Sequence, residues 1–134
     1  MTLAFPWAFP WLTALAVFLT MDAVWLGLAS GSLYTEVLGS LMLDQFRIVP
    51  AVLFYLLHIT GITVFVLPRA RERLWLAVAL GAFFGICAYG TYDLTNQAVL
   101  RVWTTRLTVI DMAWGAVVTA AASLAGAWVD RGRN

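Results

Sequence analysis

The chain has 134 residues, of which 63% are apolar and only 11% charged. A soluble domain carries about 25% charged residues, so the composition excludes an ordinary water-soluble globule and fits a single domain, 1–134, embedded in lipid. A net charge of +1 gives no ground for a nucleic-acid partner, and one Cys with one His allows neither an internal disulfide nor a zinc site.

In chain order, the first apolar segment covers about residues 7–29. No Lys or Arg precedes it, and it carries Pro6, Pro10 and Asp22, so it reads as a retained span rather than a cleaved leader. Gly31 and Ser32 are expected to end it, making 32–47 the longest connection. The second segment covers about 48–67, with Pro50 in its first turn and Pro68 past its end. The tight 68–73 turn makes spans two and three antiparallel neighbours. The third covers about 74–95, and 96–105 reads as either a helical extension or coil. The fourth covers about 106–129. Each approaches the roughly 20 residues that cross about 30 Å of hydrocarbon. Backbone groups in lipid must pair within their own segment, which requires helices here. The expected fold class is all-α, an integral membrane four-helix transmembrane bundle.

All basic residues are arginines. Arg69, Arg71, Arg73, Arg131 and Arg133 fall on one side of a four-span chain, and Arg47, Arg101 and Arg106 on the other. The positive-inside rule then places both termini in the cytoplasm of a multi-pass protein of the cell inner membrane. Trp7, Trp11, Trp75, Trp103 and Trp128 lie near span ends and read as interfacial anchors. Trp25 and Trp114 lie deeper. Cys87, within an apolar run, reads as a small packed core residue.

Three acids interrupt the spans, and an intramembrane carboxylate is costly enough to be a functional candidate by default. At 1.5 Å per residue, Asp22 lies about 22 Å into its span and Asp93 about 28 Å, while Asp111 enters from the opposite face and lies about 8–12 Å deep. All three therefore fall in the leaflet away from the 68–73 turn. Asp22 and Trp25 repeat the D-x-x-W spacing of Asp111 and Trp114, so each outer span presents a carboxylate and an indole on one face. The match fits chance or a weak inverted repeat. Tyr89, Asp93, Asn96 and Gln97 form one polar stripe. Arg101 and Arg106 follow, and an arginine fork is expected to satisfy Asp93 or Asp111. Three bare carboxylates that close would repel, so one carries a proton or an arginine bridges them. The candidate binding set is Asp22, Trp25, Tyr89, Asp93, Asn96, Arg101, Arg106, Asp111 and Trp114. It is either interhelical glue or a site for a headgroup, substrate or ion.

His58, near mid-span, reads as a hydrogen-bonded core residue. Haem ligation or a proton relay is the alternative. Ala77, Gly81 and Gly85 recur every four residues, and Gly115, Thr119, Ala122 and Gly126 form a matching stripe. Spans three and four therefore pack closely on each other, or one of them forms a homomeric contact.

The segments MDAVWLG (21–27), VPAVLFY (49–55), GITVFVLP (61–68), AYGTYDLTN (88–96) and DMAWG (111–115) cover nearly the whole chain. Through them the chain resembles the bacterial membrane proteins grouped as domain of unknown function 2177. The resemblance implies a four-helix integral membrane protein and an association with fatty-acid modification, including cyclopropane synthesis. It implies no established activity. Tyr is usual in that family where this chain has His58, which weakens a haem or metal role there.

No nucleophile–base pair, metal box or phosphate loop is present, so catalysis stays open and no cofactor is called for. The leading expectation is a protein that binds membrane lipid, or acts in fatty-acid or lipid modification, through an intramembrane acidic–aromatic site. The alternatives are an accessory subunit of a larger membrane complex and an oligomeric transporter, at least a homodimer.

Overall fold

A computed structural model of the chain describes residues 5–133. The ends of the 1–134 domain expectation lie outside the described residues. Four helices long and apolar enough to cross a membrane make up almost all of it: α1 (Ala8–Leu41), α2 (Ile48–Ala70), α3 (Leu74–Val99) and α4 (Thr105–Gly132). The protein is an all-α transmembrane bundle.

The helix α1 outruns its expected end. Gly31 and Ser32 do not stop it. The backbone widens into a π turn over Ser30–Tyr34, regains α geometry over Thr35–Leu38, and closes with a 3-10 turn over Gly39–Leu41. Thr35 Oγ1 supports the π turn by donating to the Ser30 carbonyl at 2.8 Å. Glycine in an apolar segment is a weak breaker, because lipid offers the freed backbone no substitute partner. The change of direction comes at Gly39, whose φ of 38° suits glycine alone. α3 likewise runs on to Val99, so 96–99 is a helical extension and only a short connection precedes α4. Thr104 caps α4, its hydroxyl accepting from the Leu107 amide.

The most deeply buried helix is α4, held between α1 and α3. Small residues make this close packing feasible. A Cβ on Gly85 would collide with the Gly115 carbonyl and with Thr119, and one on Gly81 would meet Ser123 at 2.6 Å. Gly126 turns instead toward Pro10 and Ala14 of α1 and Leu67 of α2. The apolar core between the helices holds Phe18, Ile59, Ile62, Val66, Val118 and Ala122. A second cluster under the extended end of α1 holds Ala29, Leu33, Trp103 and Leu107.

Two expected side-chain environments are corrected. Trp103 is buried, not an exposed anchor, because its indole N–H reaches Thr108 Oγ1 at 2.9 Å beneath α1. Cys87 is exposed, not core, because the packed face of α3 is taken by its glycine stripe. At the opposite end, Arg71 donates from Nε to Asp130 at 2.9 Å and ties the turn after α2 to the end of α4.

Candidate functional site

The antiparallel register of α3 on α4 sets the site. Gly81 faces Ser123, Gly85 faces Thr119, and the Tyr89 ring covers Gly115. One further turn along each helix puts Asp93 opposite Asp111. From α1, Asp22 reaches the same end of the bundle. Asp22, Asp93 and Asp111 are all buried.

Two of the acids are met by phenols and indoles. Asp22 accepts from the Tyr55 hydroxyl at 2.5 Å and from the Trp114 indole N–H at 3.2 Å. Asp111 accepts from the Tyr34 hydroxyl, whose oxygen in turn accepts from the Trp25 indole at 2.9 Å. The two indoles stack with centroids 4.6 Å apart and planes 7° off parallel. Each D-x-x-W segment thus serves the acid of the other span, Trp114 directly and Trp25 through Tyr34. A carboxylate only accepts hydrogen bonds, whereas indole and phenol donate from largely apolar bodies. The pairing therefore gives both carboxyls donors from within the chain.

The π turn is what makes the Tyr34 contact feasible. Residues nine apart, as Trp25 and Tyr34 are, lie about two and a half turns apart in a straight α-helix and project from opposite faces. The wider turn between them reduces that offset, and the two long side chains meet at 2.9 Å. Such turns recur at functional positions in helices.

Asp93 differs from the other two. It is fully buried, and neither carboxylate oxygen has a hydrogen-bond partner. Its neighbour across the helix pair is Asp111. The arginine fork expected here does not form. Arg101 and Arg106 are exposed at the start of the loop and of α4, and neither pairs with Asp93 or Asp111. Arginine so near a helix end extends toward the interface more readily than into the bundle.

Tyr89 lies within electrostatic reach of both Asp22 and Asp111, and its ring packs against His58 and Phe54. Asn96 is half-buried on the same helix and joins none of these hydrogen bonds. Gln97 bonds Thr105 at 2.8 Å instead. His58 is buried against Phe18, Phe54 and Phe84, with Nε2 3.0 Å from Thr119 Oγ1. Among the described residues no group of three or more His, Cys, Asp or Glu is arranged to hold a metal.

A cavity of about 410 Å³ adjoins the acids. Phe54, Ala88, Tyr89, Thr91, Tyr92 and Asp111 line it. Phe54 and Tyr92 are exposed, so it opens on the outer face between α2 and α3. The first half of α2 is exposed around much of its circumference here, at Val49, Val52, Leu53, Phe54, Leu56 and Leu57.

Tyr34 and Tyr55 are the residues that sequence reading missed. A signal was available: three intramembrane acids need donors, and all four tyrosines of the chain, Tyr34, Tyr55, Tyr89 and Tyr92, fall in the half that holds those acids.

Four apolar spans around a shared acidic–aromatic centre define a multi-pass helical membrane protein. The chain belongs to the family described as predicted membrane protein DUF2177, whose model matches residues 7–128. No curated protein and no solved structure matches it.

Proposed function

We propose that the protein binds a membrane amphiphile in the cleft between α2 and α3 and serves fatty-acid or lipid modification in the bacterial inner membrane. The observation that carries this reading is Asp111. It is the one carboxylate in the wall of a mainly aromatic cavity that opens on the outer face of the bundle. Tyr34 engages one of its oxygens, so the carboxyl keeps further acceptor capacity at the cleft wall. No arginine turns inward to meet a phosphate. The head that fits is therefore a hydrogen-bond donor or a cation, such as a hydroxyl or an amine, with its acyl chain along Phe54, Ala88 and Tyr92.

Orientation follows from charge. Arg71 and Asp130 hold the arginine-rich turn and the arginine-rich tail together, and the positive-inside rule puts that end in the cytoplasm. The acids and the cleft then lie in the outer leaflet.

Filling the cleft tests the reading. Ala88→Trp should occupy the cavity from its lipid-facing side and leave the glycine seam untouched. Protein extracted in native lipid nanodiscs should retain an amphiphile enriched over bulk membrane. The variant should lose that enrichment while unfolding at the same temperature. Equal lipid content in both proteins, or none above bulk, would overturn the proposal.

A further inference from the structure

Asp93 has no role in the lipid reading. It does not line the cleft, and its side chain is sealed between α3 and α4. A buried carboxylate without donors is among the costliest groups a fold can hold, and it persists only when something neutralises it. Nothing among the described residues does so. Tyr34, Tyr55, Trp25 and Trp114 are committed to Asp22 and Asp111, Tyr89 and Tyr92 lie near but make no hydrogen bond to Asp93, and the arginines at this end are exposed. Its immediate neighbour is a second carboxylate, Asp111, which is the worst partner in the ionised state and a good one when a single proton lies between the two.

We propose that Asp93 and Asp111 form an acid pair that binds one proton between them and exchanges it with the cleft through Asp111. The register argues for this independently of the charges, since the same four-residue steps that seat Gly85 on Thr119 and Tyr89 on Gly115 bring the two carboxyls face to face. The groups that face the pair are known from every packed element. Tyr34 comes from α1 and Tyr89 and Tyr92 from α3, while Asp22 of α1 and Tyr55 of α2 lie one step further off, within reach of Tyr89. All are acidic or neutral, so none supplies the missing positive charge. Among the described residues no third metal-binding ligand joins the two carboxyls. A proton between the two carboxyls belongs to the pair rather than to either residue. A cation or hydrogen-bond donor that arrives at Asp111 competes for the same charge, so occupancy of the cleft and release of the proton are linked.

Infrared spectroscopy of the protein in bilayers at neutral pH, with aspartate carbon-13-labelled at the side-chain carboxyl, reads the proton directly. The wild type should show one protonated-carboxyl band that shifts with the label. Asp93→Asn should abolish it, and Asp22→Asn should leave it. Asp93→Asn replaces the acid by a neutral isostere, so it should fold as the parent does, which a thermal melt verifies. Absence of the band, its survival in Asp93→Asn, its loss in Asp22→Asn, or its replacement by ionised carboxylates in a sodium-dependent way would each overturn the proposal. The Ala88→Trp variant separates the two ideas, because it should lose lipid and keep the band.

Discussion

Each of the two engaged acids depends on few donors, so single side chains matter. Tyr55→Phe removes one of the two hydrogen bonds at Asp22 and keeps the ring. The expected loss lies between the about 0.6 kcal/mol of an average interhelical hydrogen bond in a membrane and the about 1.5–3 kcal/mol of one to a charged group. Trp114→Phe should cost more, because it also breaks the stack on Trp25. Thermal unfolding in a mild detergent checks both, and a double variant should be less destabilised than the two singles added together, since both donate to Asp22. The acids were legible in the sequence because a carboxylate in an apolar run must find partners, whether as interhelical glue or as a site. Their partners were not. Tyrosine serves equally well as a donor or as a lipid-facing ring, and which one it is depends on helix rotation. Arg101 and Arg106 misled for the converse reason: their charge matched the need, but the helix ends hold them outside the bundle.

The glycine seam is the feature that periodicity revealed most directly. Small residues every four positions on two neighbouring spans leave little alternative to close packing, and α3 does seat on α4 through them. Gly85→Leu should therefore disrupt the bundle. Gly85→Ala should cost about 1–3 kcal/mol, the range of overpacking in a filled core. Gly31→Leu should stay within about 0.5 kcal/mol of the parent, because a side chain there meets nothing. Equal melting of the Gly85 and Gly31 variants would show that the seam is not a tight contact. The length of α1 was not legible. Local composition around Gly31 and Ser32 is that of a turn, and the helix continues because Tyr34, Leu33 and Ala29 find tertiary partners further on. The true terminator, Gly39, differs from Gly31 only in backbone conformation, which the residue type does not disclose.

The whole molecule is lopsided. One end is basic and closed by the Arg71–Asp130 bridge, and the other is acidic, aromatic and open between α2 and α3. Counting arginines was enough to separate the two ends, and the four-span count was enough to put the three acids together at one of them. The exposure of the first half of α2 beside the cleft was not foreseeable, since that half is almost wholly apolar and carries no sign of which face lacks a partner. Reporter fusions in the 42–47 connection and on the C-terminal tail should report opposite sides of the membrane, with the tail in the cytoplasm. The same side for both would contradict four spans, and an extracytoplasmic tail would place the cleft in the inner leaflet.

The exposed Cys87 has a practical consequence. It is the only thiol of the chain and lies midway along the outer face of α3. A nitroxide attached there needs no prior removal of other cysteines. Relaxation by dissolved oxygen, which concentrates in acyl chains, against a water-soluble nickel chelate would tell whether that face meets lipid. Spin–spin broadening at full labelling would show a second copy docked on it, and dilution with unlabelled protein would remove the broadening.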